Sequence, residues 1–464
     1  MKSLIHIIIC FIFVFTSCGN GQSKKSHAGQ RKIVVKKGEI VSNIFCNADH
    51  SESYAVFLPQ DYDSARKWPV VVFFDSHGKG IYPVQFYKEL ATKYHIVFAG
   101  SNYIKNGMSM NDVFQSYTNL MTDLVQQVSV DSRRIYLVGF SGGARMASEI
   151  AVSTDKIAGV IACSAGMATQ NVKTKPAFYY VSITGKTDMN YSEMLIIDNF
   201  LESIQAEHQL LVFGGKHEWP PVETMNEAVL FLEMKAMQKK EIPVNDSLIR
   251  NTWMYFTEKE KEISKRADKL TLMQFDLQAV NYLKGLTNTQ SFSEKVNFLE
   301  HSPEIKKALD REDELQKREN DNKQIIMEAF TKQDMKWWIN QVNTMRQKVK
   351  IVPEDESVMY TRLLGFASLV SFSYTNQSLK QGDLTAADHF LKIYELVDPD
   401  NPDCYYFLAC YYVMNKQQDK ALLSLKEAAE KGFTDIEKMQ NEPAFKEIQN
   451  DSIFISIVKG TLKK

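Results

Sequence analysis

Charge of one sign, long apolar runs and ordered cysteine spacing are all scarce in this chain. Its 55 basic and 56 acidic residues leave a formal net charge of -1 over 464 residues, so it carries no field suited to a nucleic-acid backbone or an anionic lipid surface. Nucleic acid is therefore not an expected partner. Of six cysteines, Cys10 and Cys18 lie in the first segment, while Cys46, Cys163, Cys404 and Cys410 share neither metal-ligand nor disulfide-framework spacing. Cys163 closes the apolar run Gly159-Val160-Ile161-Ala162-Cys163 and reads as a small core residue. What remains, 44% hydrophobic and 24% charged residues, is ordinary globular composition with room for two or three domains.

The apolar stretch Leu4 to Phe15 is too short to span a bilayer and follows the positive Lys2, which is the pattern of a targeting segment. It ends Phe15-Thr16-Ser17-Cys18, resembling a bacterial lipobox with Phe in place of the usual Leu. Residues 1–18 are thus expected to be a lipoprotein signal peptide with Cys18 as the lipidated mature end. A secretory signal cleaved nearby and an uncleaved anchor are the alternatives. Residues 19–30, rich in Gly, Ser and Lys, read as a flexible tether. Gly19 after the lipidation site offers no aspartate-type retention signal, so the expected address is the bacterial cell envelope, in an outer membrane facing the periplasm or the surface. Contact with the membrane would run only through the lipid.

From residue 31 to about 240, strand and helix patterns alternate. Expected strands are Tyr54 to Pro59, Pro69 to Phe74, His95 to Gly100, the segment from Ile135, Ala158 to Cys163, Ala177 to Thr184 and Gln209 to Phe213. Helical stripes lie between them at Val84 to Lys93, Asp112 to Val128 and Glu193 to Glu207. Repeated βα units imply a doubly wound, mainly parallel sheet covered on both faces.

Within this pattern the strand Ile135-Tyr136-Leu137-Val138 runs into Gly139-Phe140-Ser141-Gly142-Gly143 and then into a small-residue helix. This is the context of a nucleophile elbow, in which Gly139 and Gly143 make room for the tight turn and the Gly142 amide sits at a helix N-terminus. Three more loops follow predicted strands, where open α/β sheets place ligands. They are Asp75-Ser76-His77-Gly78, Gly185-Lys186-Thr187-Asp188 and Gly215-Lys216-His217-Glu218-Trp219-Pro220. The order Ser141, Asp188, His217 is that of α/β-hydrolase triads, with Asp198 and Glu218 open as alternative acids. Asp75 also reads as a helix or turn cap.

Together these loops resemble α/β hydrolases of the polyhydroxybutyrate depolymerase and feruloyl esterase group, over about Ser53 to Pro221. The resemblance implies Ser141 as nucleophile, His217 as general base and acid, and Asp188 as the orienting carboxylate. It implies oxyanion donors at the amides of Gly142 and of Ser76 or His77. The chain departs from the group's Leu-His-Gly by reading Phe74-Asp75-Ser76-His77-Gly78. Two-step acyl transfer of this kind needs neither metal nor organic cofactor, and none is expected. No long apolar insertion interrupts the later strands, so a lipase-type lid is not expected. The implied substrate is a small-molecule or polysaccharide-linked ester. A peptidase or amidase on the same fold and an inert scaffold are the alternatives.

After Ile242 glycine becomes rare and charged helical stretches take over. Glu258 to Glu262 and Leu309 to Lys323 read as solvated helix faces, and Trp337-Trp338 with Ile339, Val342 and Met345 as a core face. Residues 241–358 are expected to be a helical region and residues 359–464 helical repeats. Tyr405, Leu408, Ala409, Tyr412, Ala421, Leu425 and Ala428 resemble a tetratricopeptide repeat, and Ala387 and Leu391 precede Ala421 and Leu425 by that repeat's period of 34 residues. The first helix of the earlier repeat, around Tyr360 to Ser378, fits poorly. Such a stack either offers a docking surface to a protein partner or packs on the hydrolase.

Overall fold

The computed structural model describes residues 35–172, 174–266 and 268–460. The expected signal peptide, the lipidation site Cys18 and the tether lie outside them. Among the described residues no helix is long and apolar enough to cross a membrane. They form two compact units, one ending at Val160 and the other beginning at Ile161.

In the first unit, β1 (Ile40–Phe45) pairs antiparallel with β2 (Ser53–Phe57), which pairs antiparallel with β4 (Val97–Ser101). From β4 onward the pairing is parallel. Strand β3 (Trp68–Phe74) lies between β4 and β5 (Val130–Phe140), with Val72 level with Ala99 on one side and Leu137 on the other. Every residue of β3 is buried, as its unbroken apolar run requires of a strand covered on both faces. Helices α1 (Ile81–Tyr94), α2 (Met110–Gln127) and α3 (Gly142–Ser153) follow β3, β4 and β5 in turn. Helix α2 is capped by Ser109, whose hydroxyl accepts from the Asp112 amide. The sequence pattern missed β1, a half-exposed strand with a bulge.

Strand β6 (Gly159–Cys163) crosses the division. At its start the Ala158 amide donates to the Ile135 carbonyl (2.9 Å), and just past its end that of Ser164 donates to Ile183 (2.7 Å). In the second unit β7 (Tyr179–Gly185) and β8 (His208–Phe213) pair in parallel, with α4 (Tyr191–Ser203) between them in sequence and α5 (Val222–Gln238) after. The eight strands and their helices are an α/β-hydrolase fold, doubly wound and mainly parallel as expected, with an antiparallel start.

The rest of the second unit is all-α. Its α-helices are α6 (Asp246–Ile263), α7 (Lys269–Leu283), α8 (Gln290–Glu300), α9 (Pro303–Lys332), α10 (Met335–Ile351), α11 (Glu354–Gln381), α12 (Leu384–Val397), α13 (Pro402–Met414), α14 (Gln418–Glu430), α15 (Ile436–Asn441) and α16 (Ser452–Val458). Side chains of Asn245, Asp268, Ser302, Asp334, Asp383 and Asn401 cap the N-termini of α6, α7, α9, α10, α12 and α13 by accepting first-turn amides. Gly382, at φ 72°, ends α11 in the left-handed conformation. Ala387, Leu391, Ala409, Ala421, Leu425 and Ala428 are buried in one cluster over α12, α13 and α14. Trp338, Val342 and Met345 are core residues, but Ile339 is exposed. The expected boundary near Lys240 falls inside the second unit, and that between 358 and 359 falls inside α11. Contrary to the expectation from its charge, Leu309 to Lys323 is not a wholly solvated face, because Leu315 and Glu319 within it are buried.

Candidate active site

Three loops of the first unit meet around Ser141. The serine is the residue before α3 and has φ 53° and ψ -121°. For a residue with a side chain this is a sparsely populated conformation costing about 1–3 kcal/mol, held only where the surroundings enforce it. The surroundings are visible in the glycines. A Cβ on Gly139 would lie 2.2 Å from the Gly143 carbonyl oxygen, and one on Gly143 would lie 2.0 Å from the Phe74 carbonyl oxygen. Strand, turn and helix therefore touch backbone to backbone. The Gly142 amide opens α3, whose first N–H groups have no intrahelical partner and carry the positive end of the helix dipole.

The loop after β3 is pinned by its own acid. Asp75 is buried and accepts from the His77 amide (2.9 Å), which is the turn-capping role expected of it. That bond occupies the His77 N–H, while Ser76 is buried two residues past the end of β3. The His77 ring is exposed, with Nδ1 3.2 Å from Ser76 Oγ. A residue that sequence reasoning missed completes the arrangement. The Asn106 amide donates to the Ser76 carbonyl (2.9 Å), and its side-chain oxygen lies so close to Gly142 that a Cβ there would be 1.7 Å away. The only sequence trace of Asn106 is that glycine, since no motif covers the 102–109 loop.

In the second unit the loops carrying the predicted acid and base are joined. Thr187 donates through both its amide and its hydroxyl to the Gly215 carbonyl (2.9 Å each), and the Lys186 amide donates to Phe213 (2.8 Å). Gly185 packs so tightly that a Cβ on it would lie 2.4 Å from the Gly215 oxygen. On this frame Asp188 is fully buried, and its two carboxylate oxygens lie 3.0 and 3.1 Å from His217 Nδ1. It also accepts from the Asn190 amide (2.8 Å). The His217 side chain is about one-fifth exposed, at 22%. A buried carboxylate on Nδ1 fixes the imidazole tautomer so that Nε2 carries the basic lone pair. The alternative acids are engaged elsewhere: Asp198 faces His208 (3.3 Å), and Glu218 accepts from the Lys216 amide (3.2 Å). Among the described residues no group of three or more His, Cys, Asp or Glu side chains could hold a metal ion. All four described cysteines are buried free thiols, and burial pushes that of Cys46 up to about 12.

Residues 77–239 match the family model described as Phospholipase/Carboxylesterase. Similar solved structures include S-formylglutathione hydrolase from Staphylococcus aureus, at 14% identity and TM-score 0.35, covering 43% of this chain and 99% of that one. Esterase B from Lactobacillus rhamnosis is 15% identical at TM-score 0.38, covering 44% of this chain and 87% of that one. The feruloyl esterase module from Clostridium thermocellum is 14% identical at TM-score 0.35, covering 42% and 86%. No curated protein matches the chain. Residues 77–239 are thus similar to the phospholipase and carboxylesterase family, within an α/β-hydrolase fold that is followed in sequence by an all-α region.

Proposed function

We propose that the protein is an exported, lipid-anchored serine hydrolase that cleaves carboxylic esters through Ser141, His217 and Asp188. The observation that carries the reading is the backbone of Ser141: a strained serine at the head of a helix, enforced by backbone contacts on both sides, serves a hydroxyl that must be held out for attack. The Asp188–His217 pair supports it, because a histidine steadied this way is prepared to accept a proton at Nε2.

In the proposed reaction Ser141 Oγ attacks the ester carbonyl carbon as its proton passes to His217 Nε2. The carbonyl oxygen becomes an oxyanion held by the amides of Gly142 and Ser76, with the α3 dipole behind the first. Collapse breaks the bond to the alcohol oxygen, which leaves with the proton from His217, and the acyl group stays on Ser141. Water then attacks the acyl-enzyme, gives its proton to His217, and the acid is released as Ser141 Oγ recovers that proton. Asp188 keeps its charge throughout and stabilises the imidazolium.

The test is hydrolysis of p-nitrophenyl acetate against the matched p-nitroanilide. Release from the ester, abolished by Ser141→Ala and by His217→Ala in folded protein, is the expected result. Faster release from the anilide would move the reading to an amidase. No release from either would favour an inert scaffold holding a protein partner through its repeat-like helices. The anchor is tested separately: Cys18→Ser should leave the membrane fraction, and a variant as membrane-bound as wild type would remove the lipid and the envelope address from the proposal.

A further inference from the structure

The segment carrying Asp188 is held from behind by three charged side chains of the helical region. Glu319 on α9 is completely buried. Arg362 on α11 places Nε 2.7 Å and Nη2 2.6 Å from its Oε2, a two-pronged pairing of guanidinium on one carboxylate oxygen. The remaining prong is turned outward, where Arg362 Nη1 donates to the Lys186 carbonyl (3.0 Å) and the guanidinium carbon sits 4.5 Å over the Tyr191 ring. Lys323, one turn after Glu319 on α9, lies 2.7 Å from Glu319 Oε1 as a charge contact whose angle is not that of a hydrogen bond. Its N–H groups are aimed at the Met189 carbonyl (2.8 Å) and at Ser192 Oγ (2.6 Å).

Lys186, Met189 and Ser192 bracket Asp188 on both sides. The arrangement has a cost and a benefit that can be separated. Burying Glu319 with two cations is expensive unless every charge finds partners, and hydrophobic residues would fill the same space at least as stably. What an apolar filling cannot do is satisfy the carbonyls of Lys186 and Met189, which have turned toward the helices. Arginine and lysine supply donors long enough to reach them, and Glu319 holds both donors at fixed positions. Helical packing is thereby converted into the position of one short loop.

From this we infer that Arg362, Lys323 and Glu319 are positioning residues for the hydrolase, acting through the loop of Asp188, and that the helical region is part of the catalytic apparatus. The inference rests on the triad reading above. Asp188 is the residue that aims His217, and displacements of about 1 Å at a catalytic group lower rates on the order of 100-fold.

The experiment uses the full chain with Arg362→Ala, Arg362→Lys, Lys323→Met and, as a control on the exposed end of α9, Lys332→Met. Arg362→Ala and Lys323→Met are expected to lower kcat for p-nitrophenyl acetate on the order of 10- to 100-fold with little change in KM. The acid limb of the kcat/KM pH profile should move to lower pH as the imidazolium loses its aligned carboxylate. The low-field proton NMR signal of a histidine N–H held by a carboxylate should weaken or vanish. Arg362→Lys should recover part of the rate, and Lys332→Met should match wild type.

Folded Arg362→Ala and Lys323→Met proteins with wild-type kcat, pH profile and low-field signal would overturn the inference while leaving the triad standing. A wild type in which Ser141→Ala changes nothing would instead overturn the triad. If either clasp variant fails to fold, hydrogen exchange on wild type decides. Protection of the 186–192 amides that is lost together with that of α9 and α11 supports the clasp, and exchange of the loop independent of those helices contradicts it.

Discussion

Asp188 presents both carboxylate oxygens to one nitrogen of His217, at 3.0 and 3.1 Å, while no part of the carboxyl reaches solvent. A carboxylate so placed has two tasks, to fix which imidazole nitrogen carries the hydrogen and to balance the charge when the other takes a proton. Asp188→Asn preserves shape but presents an amide that favours the wrong tautomer. The expected loss in kcat is on the order of 10³- to 10⁴-fold with KM nearly unchanged. A loss below about tenfold in steady-state assays would mean that the acid is elsewhere, with Asp198 and Glu218 next to be replaced.

The elbow glycines separate into two kinds. A methyl group on Gly143 meets the Phe74 carbonyl of β3, which cannot give way, whereas one on Gly142 meets the end of the Asn106 side chain. Gly143→Ala should lower stability by about 1–3 kcal/mol in urea titrations whatever is done to neighbouring side chains. Gly142→Ala should also destabilise, but Asn106→Ala should relieve it, with a coupling energy on the order of 1 kcal/mol in the double-mutant cycle. Additivity of those two changes would show that Asn106 does not rest on the elbow.

A third prediction concerns stability away from the site. Asp276 on α7 is fully buried, and neither carboxylate oxygen has a hydrogen-bond partner among the described residues. Burial, aided by Glu260 and opposed by Lys295, raises its pKa from 3.8 to about 6. Between those values the folded state binds more protons than the unfolded one, so this group's contribution to stability is greatest below pH 4 and falls as pH rises to 6. Asp276→Asn removes the buried charge. It should raise stability by about 1–3 kcal/mol at pH 7.5 and change little at pH 4. Thermal melts showing equal effects at both pH values would contradict the assignment.

Most of the proposed catalytic frame is legible in the sequence because it is local. Gly139 to Gly143 form a turn whose sterics are written in five consecutive residues, and Asp188 and His217 follow strands whose apolar runs are unmistakable. The helical half was legible only as helices. Glu319 and Lys323 sit in a stretch so rich in charge that its periodicity signals solvent. Glu319 is buried against Arg362, 43 residues beyond it in sequence, and Arg362 and Lys323 reach carbonyls of a loop before α4. Backbone acceptors leave no mark on a sequence. Asn106 was hidden for the same reason, since its partners are the Ser76 carbonyl and the bare Cα of Gly142. Strand β1 escaped because an exposed edge strand needs no apolar alternation.

The central claim is that Ser141 is an activated nucleophile, and covalent labelling tests it most directly. An unactivated serine hydroxyl reacts poorly with an alkyl fluorophosphonate at neutral pH, whereas one served by a histidine reacts readily. Incubation of the full-length protein followed by peptide mass spectrometry should place one phosphonate adduct on Ser141. The adduct should be absent from Ser141→Ala and strongly reduced in His217→Ala. A folded protein that takes no label, or takes it equally at other serines, would contradict the account.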